Sequence, residues 1–202
     1  MAAYRLGMTA PPLVVGVSGS RRDGSYTKRA LRHLLDAAEA AGARTELIDL
    51  GDVDLPLYDP DRSTAESGDA SALLETMRAA DGVVLGSPVY HGSYSSTFRN
   101  FHDYCSFDEF ENTVVGLVAA AGGGTFASTL DHMRITVRGV HGHVVPGQVG
   151  IRNASDKFEG DTVTDAGIAD RLDALAEDVV EEARLRSAGV EDSGAAGASA
   201  DD

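Results

Sequence analysis

Cysteine occurs once in this 202-residue chain, at Cys105, so no disulfide can form within it and a reducing, cytoplasmic setting is expected. Lysine is nearly as scarce, with Lys28 and Lys157 the only two. No apolar run approaches the roughly 20 residues that a membrane-spanning helix needs. Residues 1–12 carry Arg5 but no apolar core, so a secretory signal is not expected. There is no internal repeat. No nucleophile–base–acid arrangement or pair of catalytic carboxylates stands out, and His91 has no ligand at metal spacing on its own element. These absences argue against a disulfide scaffold, a membrane protein and a hydrolase with its own nucleophile.

What is abundant is negative charge. Asp and Glu number 32 against 17 Lys and Arg, for a net charge of −15. Aspartate outnumbers glutamate 21 to 11. High aspartate with little lysine resembles proteins of salt-loving organisms. Such a surface repels nucleic acid and anionic lipid, so neither nucleic acid nor membrane is an expected partner. At high salt the long-range field is screened within a few ångströms, so an anionic ligand has to be held by short-range contacts.

At 202 residues the chain fits one domain with a large core. Strand and helix patterns alternate. Apolar runs at 13–17, 45–50, 82–86 and 113–119 read as strands, and the first is apolar throughout, as in a strand covered on both faces. Helical spacing covers 25–41, 69–80, 94–107, 125–139 and 165–187, with Gly42 as a C-cap. A fifth strand over 143–151 is interrupted by Pro146-Gly147, which predicts an edge position or a bulge. The expected layout is an extension at 1–12, one α/β domain at 13–188 with a parallel sheet covered on both faces, and a disordered acidic tail at 189–202. In such sheets ligands sit at the carboxyl ends of the strands.

Three loops lie at those ends. Ser18 to Thr27 joins strand one to helix one and combines hydroxyls, glycines and two arginines at a helix N-terminus. That is a sensible phosphate cup; the plainer reading is a βα turn with Ser25 as its N-cap. Ser87-Pro88-Val89-Tyr90-His91-Gly92-Ser93-Tyr94-Ser95 follows strand three. Pro88 and Val89 offer an apolar platform, Tyr90 or Tyr94 a flank, and the N–H groups of Val89 to Gly92 donors for a flat heterocycle. The plainer reading is a rigid corner. Gly122-Gly123-Gly124 follows strand four and permits close backbone approach to a ligand, or simply makes a tight turn.

Together these segments resemble the NAD(P)H-dependent FMN reductase family of flavodoxin-like proteins, which includes quinone and azo-compound reductases. Gly19 to Thr27 is similar to the family's G-S-x-R-x-x-S phosphate loop. Ser87 to Ser95 is similar to its S-P-x-Y-x-x-S segment, running on to Arg99, Asn100 and Asp103. Arg99 stands where the family often has lysine, and Ser96 where it usually has glycine. The likeness covers about residues 13–151. It implies a flavodoxin-like three-layer sandwich whose five-stranded parallel sheet has the order 2-1-3-4-5.

The resemblance also implies a bound FMN and NADPH or NADH as co-substrate. The electrons would pass to a small-molecule acceptor such as flavin or quinone. Ser20, Arg22, Ser25, Tyr26 and Thr27 would hold the FMN phosphate. Pro88, Val89, Tyr90, His91 and Gly92 would line the ring, and Gly122, Gly123 and Gly124 would contact its other edge. His91 would present its backbone rather than its imidazole. Residues 51–67, with a partner subunit, would form the outer wall on the acceptor side, and no side chain is assigned a catalytic role, because hydride transfer is the chemistry of the cofactors. A homodimer or homotetramer is expected, with the third helix (Phe98, Phe101, His102, Asp103, Tyr104, Phe107) at the contact. The alternatives are a flavodoxin-like electron carrier without turnover, or an FMN-binding regulatory protein. Cys105 reads as a packed small hydrophobe, and His141 and His143 as structural or surface residues.

Overall fold

The computed structural model describes residues 10–197, with side chains to Ser187. Of the expected N-terminal extension, residues 1–9 lie outside this range, as do residues 198–202 of the expected tail. Five strands, β1 (Leu13–Ser18), β2 (Arg44–Asp49), β3 (Gly82–Pro88), β4 (Val114–Ala120) and β5 (His143–Ile151), form one sheet. All neighbours are parallel and the order is β2-β1-β3-β4-β5, as expected. The helices are α1 (Tyr26–Ala40), α2 (Ala70–Ala79), α3 (Ser96–Tyr104), the single turn α4 (Phe107–Phe110), α5 (Ala127–Gly139) and, after a small hairpin, α6 (Ala166–Gly197). That hairpin, β6 (Phe158–Glu159) and β7 (Thr162–Val163), was not anticipated.

Strand periodicity sorts the core into two halves. Val14, Val84, Val114 and Val118 face α1 and α6, while Val15, Val17, Val83, Leu85, Val115 and Leu117 face α2, α3 and α5. The α1/α6 side is also paved with glycine. A Cβ at Gly16 would lie 2.9 Å from Leu35, one at Gly86 2.8 Å from Thr27, and one at Gly82 2.8 Å from Val179. These helices therefore rest close to the strand backbones.

Pro146 sits in the edge strand, and the ladder slips there: Val145, Pro146 and Gly147 stand opposite the single Gly116. Both features expected of a proline in a strand are present. The last helix differs from expectation, since it continues past 187 to Gly197. Its extra residues include Ala188, Ala195 and Ala196, and alanine is the strongest helix former.

The third helix is shorter than expected and mostly internal. Phe98, Phe101 and Tyr104 are buried in the core, and only Phe107, on the next element, is exposed, at 47%. His102, expected at a subunit contact, is buried between Phe98 (6.0 Å) and Phe110 (5.6 Å, stacked), with no partner for Nε2 among the described residues. Burial, with a contribution from nearby Arg99, lowers its pKa from 6.5 to about 4. The unfolded chain therefore takes up a proton that the folded chain refuses. Stability from this site is complete above about pH 6.5 and is lost as the pH falls towards 4, by about 2–3 kcal/mol. Urea unfolding from pH 7.5 to 4.5 should show His102→Leu losing less stability than the unaltered protein across that window; parallel curves would refute it.

Candidate functional site

The loop after β1 is shaped by one close crossing. Gly19 N–H donates to Gly86 O (2.8 Å), and a Cβ on Gly19 would lie 2.8 Å from the Cβ of Phe98. Only a residue without a side chain passes there. Ser25 is the N-cap of α1 and accepts from Lys28 N–H (3.1 Å), so the plain capping role is real. Ser20 Oγ likewise accepts from Arg22 N–H (3.3 Å). Each hydroxyl keeps its own hydrogen free to donate. The first turn of α1 carries no acidic residue, and Lys28 is turned away into an ion pair with Asp49 (2.5 Å). The positive end of the helix dipole is thus left open to an anion.

In the stretch after β3, the serines do the joining. Ser87 Oγ donates to Pro88 O (2.9 Å) and accepts from Ser95 N–H (3.0 Å). Ser95 caps α3 by accepting from Phe98 N–H (3.0 Å) and donates to Gly19 O (2.5 Å), which ties this loop to the first. Tyr90 and Ser93 exchange both backbone hydrogen bonds (2.9 and 3.0 Å) across His91 (φ 50) and Gly92 (φ 78). Two consecutive positive φ values make this a type I′ turn. From α5, Ser128 Oγ donates to Gly92 O (2.7 Å), and His132 Nδ1 lies 3.0 Å from Ser93 Oγ. One expectation fails here. Val89 N–H is bound to Ala120 O (2.9 Å) and Tyr90 N–H to Ser93 O, so only His91 and Gly92 keep N–H groups without a backbone partner among the described residues.

The glycine loop is bare. None of Gly122, Gly123 and Gly124 has positive φ, so no backbone strain requires them. A Cβ at Gly122 or Gly124 would meet nothing of the protein within 4 Å. Glycine here serves neither a special turn nor internal packing. The loop's base is pinned by Ala121 N–H to Ile151 O (2.8 Å) and Ala154 N–H to Ala121 O (3.0 Å). Its tip is held by Arg152 Nε, which donates to Gly123 O (3.1 Å).

The three loops meet around one cavity of about 250 Å3. Ser20, Arg22, Ser25, Tyr26 and Thr27 line it from the first loop, Pro88, Val89 and Tyr90 from the second, and Gly122 from the third. His91, Gly92, Gly123 and Gly124 are not on its wall. Ala120, Ala121 and Ala154 are, and were missed. Tyr26 is backed by Phe158 of the hairpin (5.4 Å), with the Arg29 guanidinium 5.3 Å from its ring centre. The loop at 51–67, expected as the outer wall, lines a neighbouring cavity together with Arg21 and Asn100, through Leu55 and Leu57. Asn100 Nδ2 and the Tyr104 hydroxyl hold it there by donating to Pro56 O (2.9 and 3.1 Å). A larger cavity of about 320 Å3 lies at the opposite, amino-terminal ends of β3 and β4 and contains none of the loop residues.

The residues present suit FMN. Hydroxyls, a guanidinium and a helix N-terminus line the cavity from the first loop, Pro88, Val89 and Tyr90 add apolar surface, and Ala120, Ala121, Gly122 and Ala154 contribute only methyl groups or bare backbone. Elsewhere, burial pushes the Cys105 thiol pKa up, and Sγ packs against Phe101 O (3.4 Å). His141 stacks on Phe107 (4.4 Å), and no metal-binding cluster of His, Cys, Asp or Glu occurs among the described residues.

Comparison with known proteins gives the same direction. Residues 12–156 match the family described as NADPH-dependent FMN reductase. The chain is 32% identical over 170 residues to an NADPH azoreductase of Bacillus sp. (strain OY1-2), covering 84% of this chain and 89% of that one. It is 32% identical over 145 residues to an FMN-dependent NADPH-azoreductase of Staphylococcus saprophyticus, covering 70% and 77%. An oxidoreductase structure from Corynebacterium diphtheriae shares the fold, with a TM-score of 0.70 at 21% identity over 86% of this chain and 97% of that one.

Proposed function

The chain belongs to the NADPH-dependent FMN reductase family, and we propose that FMN occupies the cavity between its three loops. The protein is an FMN-dependent NAD(P)H oxidoreductase. The observation that carries the placement is the convergence of hydroxyls, Arg22 and an unopposed helix N-terminus on one cavity in a chain of net charge −15. Ser20, Ser25, Thr27 and Arg22 hold the phosphate, with the first amides of α1. Pro88, Val89 and Tyr90 give the ring an apolar bed, Gly122 lets it approach the backbone, and the free N–H groups of His91 and Gly92 serve polar atoms at the rim. When bound, FMN supplies the chemistry, taking a hydride from NADPH and passing two electrons to an acceptor. The protein's part is to fix position and exclude water.

The acceptor is proposed as an aromatic azo compound, a quinone or free flavin, on the strength of the azoreductase relatives. Association into a homodimer or homotetramer is part of the same reading, supported by the exposed Leu57, Tyr58 and Tyr90, and light scattering measures it. Arg22→Ala tests the phosphate cup. Losing a charge-assisted hydrogen bond costs roughly 1.5–3 kcal/mol, or about ten- to hundredfold in affinity. FMN should weaken by that factor in a fluorescence titration while riboflavin, which lacks the phosphate, changes little. Equal loss for both ligands would remove the assignment.

A further inference from the structure

Arg152 was not singled out by the sequence, yet it is the side chain that secures the tip of the glycine loop, through Nε to Gly123 O (3.1 Å). Its neighbours place it at the cavity rim. Ile151 O is bonded to Ala121 N–H, and Ala154, two residues on, lines the cavity wall. Its guanidinium also forms no ion pair among the described residues. The sequence from 132 to 155 contains no Asp or Glu, in a chain with 32 of them. Among the described residues Arg29, Arg32, Arg78 and Arg99 all form ion pairs with carboxylates, while Arg152 forms none. A loop of three glycines has the greatest backbone freedom to lose, so a single side-chain tie at its tip matters.

We propose that Arg152 positions the Gly122–Gly124 loop through the Gly123 carbonyl and holds a positive charge at the rim that favours reduced flavin over oxidised flavin. This rests on the placement of FMN proposed above. The charge argument follows from the electron balance. A hydride carries two electrons and one proton; its transfer converts NADPH to NADP+ and the neutral isoalloxazine to anionic FMNH−, so the ring gains one negative charge. At low ionic strength a unit charge about 10 Å away near a protein surface shifts such an equilibrium by on the order of tenfold. Arg152 touches no reacting atom in this account and acts by position and field.

The test separates the tie from the charge. Arg152→Gln keeps an N–H donor without the charge, and Arg152→Lys keeps the charge without the planar fork. Dissociation constants are measured anaerobically for oxidised FMN and for dithionite-reduced FMN, first with the unaltered protein. Arg152→Gln should weaken reduced FMN about tenfold more than oxidised FMN, which lowers the midpoint potential of bound flavin by about 30 mV for a two-electron couple. Arg152→Lys should weaken both forms together and leave their ratio within about twofold. An unchanged ratio of the two constants in the glutamine variant, or a change of about tenfold in that ratio in the lysine variant as well, overturns the charge role. Failure of the unaltered protein to bind FMN overturns the placement itself, and this inference with it.

Discussion

Gly86→Val is expected to cost about 3 kcal/mol or more of stability and to weaken FMN binding from a position that does not line the cavity. Gly86 lies mid-sheet, paired with Ser18 on one side and Val118 on the other, so its backbone has little room to yield. A Cβ there would lie 2.8 Å from Thr27 Cγ2 and 2.9 Å from Leu31 Cδ1, and valine adds two further methyls. Overpacking of this kind typically costs 1–3 kcal/mol, and a rigid neighbour raises it. The part that can give way is the start of α1, and that turn carries Ser25, Tyr26 and Thr27. Lifting it from the sheet moves the phosphate cup. Urea unfolding and FMN titration of the folded variant check both halves. Full FMN affinity in a destabilised variant would mean that the cup does not depend on how deeply the helix sits.

Gly122→Val should do the opposite. Its Cβ would meet no protein atom within 4 Å and its φ is not positive, so stability should stay within about 1 kcal/mol. The new side chain, however, projects from the cavity wall. If FMN lies against that wall, affinity should fall at least about hundredfold, since a branched side chain takes the place of ligand contact. Circular dichroism melting and equilibrium dialysis give the two numbers. Retention of FMN affinity in a stable Gly122→Val protein would place the ligand elsewhere.

The sheet was legible because each central strand is buried on both faces and so appears as a continuous apolar run, as in Gly82-Val83-Val84-Leu85-Gly86. Most of the cavity lining was legible for a related reason: each loop follows a strand directly, so its chemistry is local in sequence. What escaped was long-range. Ala154 reaches the cavity wall, and Arg152 the glycine loop, only because β5 lies beside β4, and nothing in their own neighbourhood marks them. Hydrogen bonds from Asn100 and Tyr104 draw residues 51–67 towards α3, a contact that their own sequence does not mark. His102 was taken for a contact residue because a titratable side chain is rarely stacked in an apolar core, and the hairpin was missed because two-residue strands carry no period.

The chain of bonds from Ser87 to Ser95 to Gly19 and back to Gly86 is complete without any ligand. The first two loops are therefore locked to each other before FMN arrives, and little ordering entropy remains to be lost on that side. The glycine loop, with one side-chain tie, is the part left to settle. Association should then run as a single encounter at the phosphate end, its rate linear in FMN concentration. Any slower, concentration-independent phase would report closure of Gly122–Gly124 over the ring.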